Sequence, residues 1–345
     1  MDQRGYTVAI VGASGEVGQN MIKTLERYPI PVSSLRLLAS KRSVGKKMSF
    51  QNQWIEIEEL TEDSFKGIDL AFFSAGGEVS LKYAPIAIAN GAVVIDNTSA
   101  FRMDEEIPLV VPEVNAKILT KATRLIANPN CSTIQLVVAL KPLVEAYGIE
   151  SVNVSTYQAI SGAGAKALYE YEEELKDNAY RPEILPSRGD RIHYQIAHNV
   201  IPQIDLFVEN GYTKEEIKMI NETQKILDDM TLKVNATCAR VPVRYGHSVS
   251  ATVKLKQQIK DRNEVIELFK NSKDIILMDD VDHQQYPMAF YLSHHDDVYV
   301  GRIRKDLFEE DVIHLWIVAD NILKGAALNS VQIAYYMHRQ GLLGD

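Results

Sequence analysis

Residues 6–18 read Tyr6-Thr7-Val8-Ala9-Ile10-Val11-Gly12-Ala13-Ser14-Gly15-Glu16-Val17-Gly18, and this stretch decides the fold. Tyr6 to Val11 form the apolar run of a short buried strand, and the glycines follow at once. Val17, Met21, Ile22 and Leu25 then recur at helical spacing. Strand, glycine loop and helix in that order open a Rossmann-type nucleotide-binding fold. The glycines permit a tight turn and let the backbone approach a pyrophosphate at the helix N-terminus. The spacing is G-x-x-G-x-x-G, not the common G-x-G-x-x-G, so alone it also fits a plain structural turn.

The next strand, Leu35–Ala39, runs into Ser40-Lys41-Arg42-Ser43 with no acid at its tip. An acid there would hold a ribose 2′-hydroxyl, whereas a guanidinium, hydroxyls and a nearby Lys suit a 2′-phosphate. NADP is therefore favoured over NAD, the alternative being a solvated basic turn. Further strands are expected at Ile68–Phe73 and Ala92–Ile95, ending in Ser74-Ala75-Gly76-Gly77 and Asp96-Asn97-Thr98-Ser99. Residues 78–90 between them read as a crossover helix interrupted by Pro85. Loops at the carboxyl ends of parallel strands are where α/β sheets bind ligands. Arg102 is a cation delivered to that edge.

The apolar run Arg124–Ala127 reads as a strand end, Asn128-Pro129-Asn130 as a turn, and the residues from Ser132 as an opening helix. Cys131 thus falls at a helix N-terminus, where unpaired N–H groups and the macrodipole favour thiolate, the reactive form. The competing reading is a buried cysteine acting as a small hydrophobe.

From about residue 151 the period changes to two, with Val152, Val154 and Thr156 alternating with Asn153 and Ser155. Similar runs at Leu232–Val243, Ser248–Leu255, Val298–Ile303 and Val312–Ala319, with helices at Lys166–Asp177 and Lys214–Asp228, predict an α+β domain with a mainly antiparallel sheet. A closing helix is expected from Asn321 to about His338. Gln158 lies at a strand end before the glycine-rich turn Ser161-Gly162-Ala163-Gly164. Arg240 and His247 flank Pro242 and Gly246. Histidine suits proton transfer near neutral pH, although most lone histidines are structural. His193 and His198, with no distinguishing context, are read as structural.

The 345 residues suggest about two domains, and the composition is that of an ordinary soluble globular protein. A formal net charge of −9 argues against a nucleic-acid surface. Two cysteines, Cys131 and Cys238, imply no disulfide framework and fit a reducing compartment. The opening apolar run is too short for a signal peptide, and no run approaches a membrane span, so a cytoplasmic setting is expected.

Taken together, Gly12–Gly18, Asn97–Arg102, Asn128–Thr133, Gln158–Gly164, Glu215–Lys218, Arg240–His247 and Asn321–Ala327 resemble the aspartate-β-semialdehyde dehydrogenase family of Gram-positive type, in order and over nearly the full length. Ser14 stands where that family usually has threonine. The resemblance implies NADPH-dependent reduction of β-aspartyl phosphate to aspartate semialdehyde with release of phosphate. It implies Cys131 as nucleophile, His247 as acid/base group and Gln158 as the residue that orients the substrate or holds a thioester. Arg240 would bind the α-carboxylate and Glu215 the ammonium, with Arg102, Lys218 and Asn130 at the phosphate. Glu215 is favoured over Glu216 because it lies three residues from Lys218 on one helix face. NADP contacts would come from Gly12, Ser14, Gly15, Glu16, Val17, Arg42, Ser43, Ser161, Gly162 and Asn321, and no metal site is expected. Residues 1–130 with 322–345 would bind NADP, and 131–321 would carry catalysis and the contacts of a homodimer or homotetramer. Two rivals are N-acetyl-γ-glutamyl-phosphate reductase, which usually has glycine before the cysteine and an aromatic after it, and an NADP-binding thiol sensor without turnover.

Overall fold

The computed structural model describes residues 5–177 and 179–344 and divides into two compact units, Met1–Asn130 with Ala326–Asp345, and Cys131–Gly325. In the first unit β1 (Tyr6–Val11) leads through the glycine loop into α1 (Glu16–Arg27) and back to β2 (Val32–Ala39). Next come β3 (Lys47–Phe50), β4 (Gln53–Glu59), β5 (Leu70–Phe73), α2 (Gly77–Ala89), β6 (Val93–Asp96), the short α3 (Pro112–Asn115) and β7 (Leu125–Ala127). A C-terminal helix, Leu328–Arg339, completes it.

The seven strands run in the order β3-β4-β2-β1-β5-β6-β7, all parallel except the edge strand β3. Successive strand residues face opposite ways. Val8 and Ile10 therefore pack with Met21, Leu25, Val331 and Met337 on one face, and Ala9 and Val11 pack with Phe65, Phe73 and Ala84 on the other. Burial on both faces is why these strands read as unbroken apolar runs. The chain departs from β1 first to one side, through β2, and later to the other, through β5, so the carboxyl ends of β1 and β5 flank the switch point where such sheets take ligands.

The second unit begins with α4 (Cys131–Tyr147), β8 (Ile149–Gln158), a single turn over Ile160–Ala163, and α5 (Ala165–Glu174). It continues with α6 (Lys214–Ile226), β9 (Lys233–Arg240), β10 (His247–Leu255), α7 (Arg262–Lys270), β11 (Ile275–Leu277), α8 (Ala289–Leu292), β12 (Val298–Lys305) and β13 (Val312–Ala319). The six-stranded order is β11-β12-β13-β10-β8-β9, antiparallel through the centre with a parallel pair at each edge. Helix α4 is buried on nearly every side, which matches its run Ile134–Leu140.

Two expectations need correcting. Pro85 does not interrupt the crossover: α2 continues through it. The carbonyl that loses its bond belongs to Leu81, an exposed residue, so water can meet it. The closing helix is not one element, because Leu323–Ala327 form a π-turn before the α-helix starts at Leu328.

Candidate active site

In the nucleotide-binding unit, Gly12 has φ +88° and lies so close to the β5 loop that a Cβ there would meet the Ser74 carbonyl carbon at 2.9 Å. Only glycine combines that backbone with that approach. Gly15 precedes α1, no side chain caps the first-turn amides, and the helix opens with Glu16 and Val17. Ser43 Oγ bonds Ser14 Oγ at 3.1 Å, tying the tip of β2 to the glycine loop. Ser43 is buried in the turn Lys41–Ser43 while Arg42 is exposed, and no acid stands between Ala39 and Gly45. Free helix amides, paired hydroxyls and an exposed guanidinium fit a dinucleotide bearing a 2′-phosphate.

Further along the same sheet, buried Asp96 ends β6. Its carboxylate accepts from Ser80 Oγ at 2.7 Å and from Thr98 Oγ1 at 2.7 Å. Burial raises its pKa, against the opposing pull of those bonds. This fixes the loop that follows, and Arg102 folds back to donate to the Asn97 carbonyl at 2.8 Å. Asn128 starts the turn before Cys131; its side-chain oxygen accepts from Asn329 at 2.7 Å and its N–H donates to the Asp96 carbonyl at 2.8 Å. Asn130 is buried at the end of this turn.

In the second unit Cys131 is the first residue of α4 and is half-buried. The π-turn crosses directly against it: a Cβ at Gly325 would lie 2.7 Å from Cys131 Cβ. Asp320 anchors that turn by accepting from the N–H groups of Ile322 and Leu323, each at 2.8 Å.

Four expected residues form one buried cluster. Gln158, at the end of β8, donates through Nε2 to Glu215 Oε1 at 3.1 Å and accepts at Oε1 from Thr156 Oγ1 at 3.1 Å. Its Nε2 also lies 3.4 Å from His247 Nε2. Arg240, at the end of β9, is buried and donates through Nη1 to the Ala159 carbonyl at 2.7 Å. Burial lowers the Arg240 pKa, opposed first by Glu215 and then by Cys131. His247 opens β10 fully buried, and burial, followed by the Arg240 charge, holds its pKa well below the ordinary value.

The two glutamates of α6 separate cleanly. Glu215 faces Gln158 and accepts from Lys218 at 3.3 Å, whereas Glu216 turns away to accept from the N–H groups of Thr213 at 2.7 Å and Cys238 at 3.0 Å. Lys218 also meets Asp205 at 2.9 Å, a partner with no sequence signal. Burial pulls the Lys218 pKa down, but Glu215 and Asp205 outweigh it and leave it raised. Ser161 and Asn321 bond one another at 3.2 and 2.9 Å, and Asn321 Oδ1 accepts from the Gly246 N–H at 2.9 Å, beside His247. Gly162 borders Arg240 and His247. Cys238 is fully buried, its Sγ 4.0 Å from Met219 Sδ, and burial raises its thiol pKa strongly.

A Rossmann-type unit joined to an α+β unit with a cysteine at a helix start describes a nicotinamide-dependent dehydrogenase that works through a thiol. The family models "Semialdehyde dehydrogenase, NAD binding domain" and "Semialdehyde dehydrogenase, dimerisation domain" match residues 7–122 and 140–324. Aspartate-semialdehyde dehydrogenase of Bacillus subtilis (strain 168) is 51% identical over 99% of both chains, and that of Aquifex aeolicus (strain VF5) is 49% identical over 98% of this chain and 100% of its own. The crystal structure of aspartate semialdehyde dehydrogenase II from Vibrio cholerae, complexed with ASA, is 45% identical and superposes with a TM-score of 0.90 over 98% of this chain and 99% of its own. The chain belongs to the aspartate-semialdehyde dehydrogenase family, NADP-dependent oxidoreductases of amino-acid biosynthesis. Among the described residues no helix is long and apolar enough to cross a membrane.

Proposed function

We propose that Cys131 attacks the carbonyl carbon of β-aspartyl phosphate and carries the aspartyl group as a thioester. The new C–S bond replaces the C–O bond to phosphate, which departs toward Arg102, Lys218 and Asn130. Gly12, Ser14, Gly15, Glu16, Val17, Arg42 and Ser43, with Ser161, Gly162 and Asn321, would hold NADPH, which would supply the hydride that reduces the thioester. Cys131 then leaves as thiolate and aspartate semialdehyde is released. Splitting one hard step in two is the benefit of a covalent intermediate. Arg240 grips the α-carboxylate, Glu215 meets the ammonium, and Gln158 and His247 line the reacting carbonyl.

The observation that carries this reading is the buried cluster Gln158–Glu215–Arg240–His247. Glu215 favours a free amine over an acetamide, which argues against the N-acetylated substrate. Buried Cys238, with its raised pKa, offers no resolving thiol for a sensor. Residues 1–130 with 322–345 serve as the NADP domain and 131–321 as the catalytic domain of a cytoplasmic homodimer or homotetramer. The deciding assay is NADP reduction by aspartate semialdehyde with phosphate, run beside N-acetylglutamate semialdehyde. Activity only with the second, or with neither, overturns the assignment.

Two variants probe the parts. Arg240→Lys keeps a charge but loses the planar fork, and should raise KM for aspartate semialdehyde about 10- to 100-fold with a smaller fall in kcat. An unchanged KM would remove Arg240 from carboxylate binding. Gly325→Ala must push the start of α4 and should lower kcat about 100-fold through misplacement of Cys131. Native kcat and native alkylation of Cys131 in that variant would show that the contact relaxes without cost.

A further inference from the structure

Ala159 offers the sequence only a methyl group, yet its peptide atoms hold two of the residues above. Its N–H donates to His247 Nδ1 at 2.9 Å, and its carbonyl accepts from Arg240 Nη1 at 2.7 Å. A backbone N–H can only donate, so Nδ1 must accept. A neutral imidazole carries one proton, which then sits on Nε2.

We infer that Ala159 is a positioning residue that fixes His247 as the Nε2–H tautomer, so that His247 meets the substrate as a donor beside the Gln158 amide. On this inference His247 is not the base that takes the proton of Cys131. It rests on the roles assigned to Cys131 and His247 above.

The burial and the Arg240 charge that depress the His247 pKa keep its ring neutral near pH 7, so the single-proton argument applies to the working enzyme. The Gln158 contacts agree with it. Exchanging the Gln158 amide atoms would set its oxygen against the Glu215 carboxylate, so the nitrogen faces both Glu215 and His247. Were that nitrogen donating to His247 Nε2, both ring nitrogens would be acceptors, and no neutral imidazole has that form. The 3.4 Å approach therefore sets two N–H donors side by side.

Gly162 keeps side-chain atoms away from them: a Cβ there would stand 3.5 Å from His247 Nε2 and 3.0 Å from Arg240 Nη1. Two adjacent donors suit an oxygen that turns anionic. The substrate oxygen does so twice. It gains the electron pair of the C=O bond when sulfur adds and returns it as phosphate leaves. It gains the pair again when hydride adds and returns it as thiolate leaves. His247 keeps its proton through both, and the thiol proton passes to water before substrate adds.

The test is a long-range ¹H–¹⁵N correlation spectrum of the full-length enzyme labelled with ¹⁵N-histidine, near pH 7. The His247 signals are those missing from His247→Gln. A directly bonded proton on Nε2 and none on Nδ1 is expected; a proton on Nδ1, or averaging between the two, overturns the inference. Incorporating L-lactic acid in place of Ala159 turns the peptide N–H into an ester oxygen and so removes the donor without adding atoms against the ring. That variant should show mixed tautomers and a kcat reduced about tenfold with KM little changed. An unaltered tautomer with native kcat there also overturns it. The wild-type spectrum decides the tautomer without reference to turnover, so a failure of the Cys131 assignment would be seen separately, as activity retained by Cys131→Ala.

Discussion

Cys131→Ala should lower kcat for phosphate-dependent oxidation of aspartate semialdehyde by about 10⁴-fold, roughly 5.5 kcal/mol in activation free energy. Without sulfur the acyl group has no carrier, and only binding and orientation remain. The loss should be chemical and not structural. Alanine suits the first turn of α4, and the position is half-buried, so the unfolding midpoint should hardly move. Intact-mass measurement after mixing with acyl donor should show the aspartyl adduct on the native chain and none on the variant. Native speed without the sulfur would end the covalent reading.

His247→Gln should cost about 10³-fold in kcat, roughly 4 kcal/mol, with KM less affected. Glutamine keeps an N–H donor but cannot reproduce the ring geometry held by Ala159. The same variant reports on stability. The His247 pKa is depressed in the folded chain, so the unfolded chain takes up the proton first as pH falls. The associated stability is complete above the ordinary value of 6.5 and is lost as pH drops from there toward the depressed value. Urea midpoints followed downward from pH 6.5 should therefore fall less steeply in His247→Gln than in the native chain. Parallel curves would mean the imidazole is not held neutral by its surroundings.

Much of the fold is written in the apolar runs. Val8–Val11 and Val93–Ile95 are parallel strands covered on both faces, which leaves no room for polar interruption. The strands that escaped notice are those whose surroundings demand less. β3 and β4 carry Lys47, Glu56, Glu58 and Glu59 at the exposed edge, and β11 is only Ile275–Leu277. The π-turn has no sequence rule of its own; it lies against Cys131 and is anchored by Asp320.

At the site, Cys131 is legible because a strand, a turn and a helix frame it. The choice between Glu215 and Glu216 was open to a local argument. The pattern Thr-x-x-Glu over residues 213–216, with Thr213 as cap and Glu216 returning to its N–H, marks Glu216 as a capping-box residue and leaves Glu215 for the site. Asp205 gave no such sign, since it lies 13 residues before Lys218, in the irregular chain that precedes α6. Ala159 could not be found from its side chain at all, because it acts through its N–H and its carbonyl.

The cations and anions around Gln158 come in matched numbers: Arg240 and Lys218 against Glu215 and Asp205. The zwitterionic head group of the proposed substrate would add one charge of each sign and leave that tally balanced. A ligand whose amine is blocked would bring a lone negative charge into that balance. Discrimination against it then arises from the charge tally of the whole region as well as from any single contact.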